Sequence, residues 1–518
     1  MGVLFDECAD RDQATTIHLD RPFDIAPESG VDHDLPGLAR LVWTTAGWLA
    51  AAGVRRGDRV AIVKDNHWDY DLLACAAVRI GAVPAKLSGH LPPESLAVLL
   101  RRVGPAVLVT TAGVLTAGRD AGVDLTTLAR TTVDLNGTDP SALSVPDLLG
   151  HGTPPPVRPR DDDPLVVMHT SGTTGLPKLV VHSTATIIGA LAQLEARRIP
   201  VIGVRGTDTL ANASAYSHGR TFCWTASALA LAPSRIVVLT RDDPDLADPV
   251  LRNHPPTVVE ALPATYVRLR PLTTRLDNAF RAVRLFMSTY DAIHPPVVRA
   301  YLDASARRRP LWMQGWGQSE TGPITFRFLD RRVTAPRDLG RPIPLRTRLR
   351  VVDPATLTPV GRGEPGLVQV RTPARCLGYL GEDERFAAKS DGGWWNTGDL
   401  AVRGRTGRVR LLDREVDLAP GMSCLAAEDT IEDRLDAVVE CVLLGVSGRP
   451  PVPVVVTADG TLDQRAWTRA VADLPPLADP VVRTWDQLPR TGTGKVRRHD
   501  LLTALAADAT PAGSGRWT

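Results

Sequence analysis

The chain of 518 residues lacks the features that mark several large classes of protein. No apolar run approaches the ~18 residues that a membrane-spanning helix needs, and the N-terminus has no basic stretch followed by an apolar one. Six scattered cysteines form no C-x-x-C pair, which argues against a disulfide framework or a zinc site. The formal net charge of +2 gives no reason to expect nucleic acid or a membrane as a partner. We therefore expect a cytoplasmic globular protein.

Lysine is also scarce, since only five of the 60 basic residues are lysines. Positive charge is supplied almost entirely by arginine, and the two side chains are not chemically equivalent. A lysine in this background is therefore a candidate for a specific role. Two of the five, Lys178 and Lys495, lie in glycine-rich stretches.

The first part of the chain alternates between helix-like and strand-like stretches. The pattern predicts helices at residues 36–53, 68–82 and 92–103 with strands between them, which favours parallel sheets covered by helices. The proline-rich stretch His151–Pro164 is interpreted as a linker between subdomains, and Leu339–Leu412 as a smaller β-rich unit. The predicted class is α/β: a large N-terminal domain of mostly parallel sheets with a small β-rich subdomain, then a small α+β C-terminal domain.

Residues 169–183 read HTSGTTGLPKLVVHS and lie between two apolar runs. The first run has the character of a buried strand, and the second, with Ile187, Ile188, Leu191 and Leu194, has helical spacing. A strand, a glycine-rich turn and a helix together present backbone N–H groups to a phosphate. The ordinary phosphate loop does not fit, because Pro177 precedes the lysine and Leu179 follows it. The predicted phosphate-binding residues are Thr170, Ser171, Gly172, Thr173, Thr174, Gly175 and Lys178.

Further stretches follow in a fixed order: Asp208 with His218 ten residues later, then WGQSE at 316–320, NTGDL at 396–400, Arg414, and PRTGTGK at 489–495. Together with TSGTTGLPK they resemble the motifs of the acyl-adenylate-forming superfamily, which includes acyl- and aryl-CoA ligases, peptide-synthetase adenylation domains and amide synthetases. The resemblance covers nearly the whole chain. It implies activation of a carboxylic acid by ATP as an acyl-AMP, with release of pyrophosphate. It also implies a domain over 1–413, a hinge at 414–417 and a mobile domain over 418–518.

The resemblance also implies roles for single residues around ATP. Lys495 would bridge the carboxylate and the α-phosphate, and Glu320 would ligate Mg²⁺, a hard cation that prefers carboxylate oxygen. Ser319 would donate to the α-phosphate, and Trp316 would lie against the adenine. Asp399 and Arg414 would bind the ribose.

The remaining implied residues belong to the acid pocket. His218 would lie in its wall or gate it, although a lone histidine is more often structural. Gly315 and the segment with Tyr290 and Asp291 would line it. The family has a glycine-rich step where this chain has Tyr290 and Asp291, so we expect a narrower, more polar pocket for a compact, aromatic or hydroxylated acid.

The segment after Asp413 departs from the family pattern. It is about two residues short and lacks the lysine and arginine that serve the thioester half-reaction. This favours transfer of the acyl group to an amine, as in amide synthetases of natural-product pathways. The alternative is an acyl- or aryl-CoA ligase or a carrier-protein loader. A non-catalytic nucleotide-binding regulator is a more distant alternative, because Lys178, Glu320, Asp399 and Lys495 are all present.

Overall fold

The computed structural model describes residues 1–170, 176–291, 293–333, 337–414, 422–446 and 449–508. The helices are α1 Leu4–Asp10, α2 Leu35–Ala51, α3 Asp69–Arg79, α4 Pro93–Val103, α5 Ala112–Asp120, α6 Val145–Leu148, α7 Gln193–Glu195, α8 Gly219–Leu231, α9 Pro244–Asn253, α10 Pro263–Leu269, α11 Pro295–Ala304, α12 Asp383–Ala387, α13 Cys424–Arg434, α14 Gln464–Ala470 and α15 Arg498–Asp508. A π-helix runs from Thr184 to Ala192.

The strands fall into three sheets. They are β1 Thr16–Leu19, β2 Asp32–Asp34, β3 Arg59–Lys64, β4 Val83–Ser88, β5 Val107–Thr110, β6 Thr131–Asp134, β7 Leu143–Ser144, β8 Pro164–His169, β9 Leu179–Ser183, β10 Thr209–Ala213, β11 Arg235–Val238, β12 Val258–Ala261, β13 Leu285–Ser288, β14 Leu311–Gln318, β15 Gly322–Leu329, β16 Asp338–Pro342, β17 Arg348–Val352, β18 Pro365–Arg371, β19 Gly378–Tyr379, β20 Ser390–Asp391, β21 Trp394–Arg403, β22 Val409–Arg414, β23 Val438–Val446, β24 Arg449–Thr457 and β25 Val481–Arg483.

Two of the sheets are large and contain parallel cores. The eight-stranded sheet has the order β19-β9-β8-β4-β3-β5-β6-β7, and its strands from β8 to β7 run parallel. In the 14-stranded sheet, β1 and β10 to β14 form a parallel core, and β2, β15 to β18 and β20 to β22 add antiparallel strands. The predicted α/β class is confirmed, as is the β-rich character of residues 339–412.

The proline-rich stretch is a connection within one sheet. β7 before it and β8 after it belong to the same eight-stranded sheet, where β8 pairs with β4 through Ala85 and Val167. Val157 donates its backbone N–H to the carbonyl of Arg79 over 2.8 Å, which fixes the stretch on α3. The interpretation as a linker between subdomains is therefore wrong. The many prolines of this stretch indicate that it forms no helix or strand, but they do not by themselves indicate a domain boundary.

Residues 171–175, of the predicted glycine-rich turn, lie outside the described residues, and the strands on either side of them are antiparallel. β8 and β9 pair with Met168 opposite Val180, so the next described element is a strand where the sequence predicted a helix. The helical spacing is real but begins later, at Thr184, where the side chain of Ser183 caps the π-helix. The expectation of a strand, turn and helix is thus wrong in its last step. The apolar run at residues 179–181 is only three residues long, which is too short for its pattern to distinguish a separate strand from the start of the helix that follows.

The third sheet, β23-β24-β25, lies with α13, α14 and α15 at the C-terminal end of the chain. Arg414 is the last residue of β22, and residues 415–417 of the predicted hinge lie outside the described residues. The division into 1–413, 414–417 and 418–518 therefore stays a prediction. Across the ranges that the structure describes, no helix has both the length and the apolar character to span a membrane.

Candidate active site

A cavity of about 390 Å³ collects most of the residues predicted from the motifs. Ser171, Gly172, Thr173, Thr174 and Gly175 lie outside the described residues. Every other predicted site residue lines the cavity: Thr170, Lys178, His218, Tyr290, Asp291, Gly315, Trp316, Ser319, Glu320, Asp399, Arg414 and Lys495. Asp208, which opened the histidine motif, is not among the lining residues and pairs with Arg284.

The five lysines all have a definite place. Lys178, Lys389 and Lys495 line the cavity. The other two lie in buried ion pairs, Lys64 with Asp69 and Lys86 with Asp71. The scarcity of lysine was therefore informative, although Lys389 was not singled out from the sequence.

Thr170 and Lys178 are joined to each other by two hydrogen bonds. The N–H of Thr170 donates to the carbonyl of Lys178, and the N–H of Lys178 donates to Oγ1 of Thr170, both over 3.0 Å. This double link sets the direction of the Lys178 side chain, whose Nζ lies 3.6 Å from Oε1 of Glu320. A cation is thus held at the wall of the cavity, where an anionic ligand would be neutralised.

Glu320 follows β14 and is buried. Its Oε1 accepts a hydrogen bond of 2.5 Å from the hydroxyl of Tyr379, a residue that the sequence analysis missed because it lies 59 positions away. No group of three or more His, Cys, Asp or Glu side chains within the described ranges could hold a metal. One carboxylate beside a lysine fits Mg²⁺, which is commonly held by one or two carboxylates together with substrate phosphates.

His218 caps the N-terminus of α8. Its Nδ1 accepts from the N–H of Arg220 over 3.2 Å, so the proton sits on Nε2, which donates to Oγ of Ser319 over 3.0 Å. Burial, followed by nearby positive charges including Lys86 and Lys495, lowers the pKa of His218 to about 3. The imidazole is therefore neutral, and it serves both as a helix cap and as part of the cavity wall.

Four further predicted residues line the cavity, and two of them, Tyr290 and Gly315, are in tight contacts. The ring of Tyr290 packs edge-on against the His218 ring with centroids 4.8 Å apart, and its φ of 78° is unusual for a non-glycine residue. A Cβ at Gly315 would lie 3.1 Å from Cγ2 of Thr289 and 3.2 Å from Cε1 of Phe326, so a side chain here would require these neighbours to shift. Asp291 lies exposed at the edge, and Trp316 is half-buried in the wall.

Asp399 lies at another end of the cavity, buried on β21. Burial raises its pKa to about 6, against the attraction of Arg414, Lys495 and Lys389. Nε of Arg414 lies 3.8 Å from Oδ1 of Asp399. Gln318, missed from the sequence, donates from Nε2 to Oδ2 of Asp399 over 3.3 Å and so fixes the orientation of the carboxylate.

The lysine loop of residues 491–495 closes over the cavity. Its turn is held by the N–H of Gly494, which donates to the carbonyl of Thr491 over 2.8 Å. A Cβ at Gly492 would lie 2.8 Å from Oγ of Ser88, so the loop lies tightly against the end of β4. Lys495 lines the same cavity as His218 and Asp399, and its positive charge lowers the pKa of both.

Over residues 37–380 the chain matches the family of AMP-binding enzymes. It is 37% identical to the 3-amino-2-hydroxy-4-methoxybenzoate diazotase of Streptomyces cremeus, over 99% of this chain and 97% of that protein. It is 26% identical to the 3-aminoavenalumate diazotase of a Streptomyces species, over 91% and 89%. A crystal structure of an anthranilate CoA ligase with anthranoyl-AMP superposes with a TM-score of 0.82 at 20% identity, covering 98% of both chains. The chain thus belongs to the AMP-binding enzymes of the acyl-adenylate-forming superfamily and is an AMP-forming ligase.

Proposed function

We propose that this enzyme is an ATP-dependent diazotase, which transfers the nitrogen of nitrite to an aromatic amine. The observation that carries the proposal is the 37% identity to a diazotase along 99% of the chain. The cavity supports it, because a site for adenylation is built to join an oxyanion to the α-phosphate of ATP. Nitrite is a small oxyanion that can take the place of a carboxylate in that reaction.

The proposed reaction balances without any oxidant or reductant. A nitrite oxygen attacks the α-phosphorus of ATP, forming a P–O bond to a nitrosyl group and breaking the bond to pyrophosphate. The aromatic amine then attacks the nitrosyl nitrogen, so that an N–N bond forms, AMP leaves and one proton is released. The nitroso oxygen then takes up that proton together with the second amine proton and leaves as water, which gives the diazonium ion. One nitrite oxygen ends in AMP and the other in water.

The residues of the cavity would supply the electrostatic part of this reaction. Lys495 would hold nitrite beside the α-phosphate, since two anions must approach and the charge that develops needs a cation. Lys178 would face the outer phosphates, and Asp399 would accept from the ribose hydroxyls. Mg²⁺ bound with ATP would neutralise phosphate charge, with Glu320 as its protein ligand.

The neutral state of His218 favours an aromatic amine as the acceptor. With a pKa of about 3, this imidazole is too weak a base to deprotonate an alkylammonium ion at neutral pH. Aromatic amines are weakly basic and stay unprotonated there, so they can attack without prior deprotonation. The ring of Tyr290 against His218 leaves a wall suited to a flat ring.

A second candidate is the reaction expected from the sequence, in which a carboxylic acid is activated and passed to an amine or a thiol. It is favoured by the presence in one cavity of all the described residues that the resemblance assigns to acyl-AMP formation. An amine acceptor is common to amide formation and diazotisation. The two candidates differ in the oxyanion that ATP activates.

Release of pyrophosphate tests the proposal when nitrite, aromatic amines, aromatic acids and CoA are supplied singly and in pairs. We expect release that requires nitrite and an aromatic amine together, or nitrite alone if the adenylated nitrite hydrolyses. Release that requires an aromatic acid with CoA or an amine, and is unchanged when nitrite is omitted, would overturn it. Lys495→Ala should lose whichever activity the wild-type enzyme has.

A further inference from the structure

We propose that Glu195 binds a hydrogen-bond donor on the ring of the substrate, so that the preferred aromatic amine carries a ring hydroxyl or a second amino group. This inference rests on the proposed function, because it deepens the identity of the amine. Glu195 ends α7 and lines the cavity, as do Arg220 and Cys223 of α8. None of the three was singled out from the motifs.

Arg220 is the only one of the three with a positive charge, and that charge is already matched. Its Nη1 lies 2.5 Å from Oε2 of Glu195, and its Nη2 lies 2.8 Å from Oε1 of Glu260 on β12. Burial raises the pKa of Glu260, while Arg220 opposes the rise. Even with Glu260 protonated, Glu195 balances the guanidinium. No uncompensated positive charge then remains at this point to bind a carboxylate.

The two oxygens of the Glu195 carboxylate have different surroundings. Oε2 accepts from Arg220 and from the hydroxyl of Ser227 over 3.3 Å, and the thiol of Cys223 lies 3.8 Å away. Oε1 accepts no hydrogen bond from the described residues. The side chain lines the cavity and is only 17% exposed, so little bulk water is available to satisfy this acceptor. A ligand that donates a hydrogen bond to Oε1 would satisfy this acceptor.

The carboxylate is fixed by one face of α8. Arg220, Cys223 and Ser227 are spaced by three and four residues, so their side chains lie on the same side of the helix. All three approach Oε2, and none of them donates a hydrogen bond to Oε1. Arg220 is in this sense a positioning residue for Glu195.

This inner end of the cavity is distinct from the end where ATP would react. Nε2 of His218 donates to Ser319, the residue expected at the α-phosphate, while Nδ1 accepts from the backbone N–H of Arg220, whose side chain donates to Glu195. The charges that act on Asp399 are those of Arg414, Lys495 and Lys389. A ring beside His218 and Tyr290 can direct its reacting amine toward Lys495 and another substituent toward Glu195.

Equilibrium binding of meta-aminophenol and meta-toluidine, measured by calorimetry with AMP present and nitrite absent, tests the inference. The two amines differ only in a hydroxyl or a methyl group of similar size. We expect the wild-type enzyme to bind meta-aminophenol about tenfold or more tightly, as one hydrogen bond to a carboxylate warrants. Glu195→Gln should reduce the preference to about twofold or less, because its carbonyl oxygen takes the place of Oε2 beside the donors Arg220 and Ser227 and leaves the amide nitrogen, which cannot accept, in the place of Oε1.

Glu260→Gln is the matched control, since Glu260 also pairs with Arg220 but does not line the cavity. It should keep the preference, whereas equal losses in both variants would assign a merely structural role to Glu195. Glu195→Asp shortens the side chain, keeps its charge and should also lose the preference, which covers a failure of Glu195→Gln to fold. Equal affinity of the wild type for both amines, or no binding of either, would overturn the inference.

A carboxylate on the ring gives a further outcome. If meta-aminobenzoate bound most tightly, and if Arg220→Met rather than Glu195→Gln removed that affinity, Arg220 would be the recognition residue and the inference would be wrong. The binding assay contains no nitrite and measures no turnover. A failure here is therefore separate from a failure of nitrite-dependent pyrophosphate release, which bears on the proposed function.

Discussion

Gly494 approaches Ala264 so closely that a Cβ added at residue 494 would lie 2.5 Å from the Cβ of Ala264. Gly494 lies beside Lys495 in the C-terminal loop, and Ala264 lies in α10 of the 14-stranded half of the molecule. The predicted catalytic residue, Lys495, therefore follows directly on a contact between Gly494 and Ala264 that leaves no room for a side chain at residue 494. This contact decides how close Lys495 comes to the rest of the cavity.

Gly494→Ala should displace the loop and slow pyrophosphate release by about 100-fold, since a shift of about 1 Å in a reacting group has that effect. Binding of ATP should change little. Gly460→Ala is the matched control: Gly460 also has a positive φ, 74° against 80°, but nothing lies within 4 Å of its added Cβ. Equal rates for the two variants would show that the close contact does not position Lys495.

Glu320 predicts a dependence on Mg²⁺. Glu320→Gln removes the charge expected to ligate the ion, so the Mg²⁺ concentration for half-maximal pyrophosphate release should rise strongly. Tyr379→Phe removes the hydroxyl that donates to Oε1 of Glu320 and should raise it by about tenfold, as outer partners of metal ligands do. An unchanged Mg²⁺ titration for Glu320→Gln would exclude this residue as a ligand.

Asp399 predicts a pH effect on ATP binding. Its pKa is raised to about 6, so the carboxylate is ionised above that pH and becomes protonated as the pH falls through it. The KM for ATP of the wild type should therefore rise below about pH 6. Asp399→Asn should have a KM roughly ten- to a hundredfold higher, from the loss of a charged acceptor, and no such rise. Parallel pH profiles of the two enzymes would contradict a ribose-binding role.

His294 joins α11 to α13 of the C-terminal part. Its Nδ1 lies 2.6 Å from Oδ1 of Asp429 and its Nε2 lies 3.3 Å from Oε1 of Glu432, while Arg337 pairs with Asp429 from the other side. Burial lowers the pKa of His294, but the attraction of Glu432 and Asp429 outweighs it and raises the pKa to about 9.

Because the pKa of His294 is higher in the folded state, its protonated form stabilises the folded protein. This contribution is fully present at pH values below 6.5, the pKa in the unfolded state, and it is lost as the pH rises through about 9. We expect the free energy of unfolding to fall by on the order of 3 kcal/mol across that interval. His294→Asn should be less stable at the lower pH and should lack this loss. Arg299→Ala, which breaks an exposed pair with Asp433, is the control and should leave the pH dependence intact.

Much of the site could be predicted from the sequence because its residues lie in short local motifs. Glu320 follows Trp316 in one stretch, and Lys495 lies within a glycine-rich loop, so their spacing alone carried the signal. The alternation of helices and strands likewise carried the α/β class. The residues that the sequence analysis missed act across large separations: Tyr379 on Glu320, and Glu195 on Arg220.

The errors have a similar cause. The stretch His151–Pro164 has the composition of a linker, yet the pairing of β8 with β4 returns the chain to the same sheet. The helical spacing of Ile187, Ile188, Leu191 and Leu194 suggested that a helix follows the glycine-rich stretch directly, yet pairing with β8 makes Leu179–Ser183 a strand. In both places a contact distant in sequence determined the structure, and local pattern contains no information about such contacts.

The central claim, that nitrite is activated on the α-phosphate of ATP, is tested most directly by oxygen-labelled nitrite. The enzyme would be incubated with ATP, an aromatic amine and nitrite labelled with oxygen-18, and the mass of the AMP product would be measured by mass spectrometry. The account predicts AMP that contains one oxygen-18 atom, with no such product from Lys495→Ala. Unlabelled AMP from the wild type, with the label found instead when an oxygen-18 carboxylic acid is supplied, would contradict it.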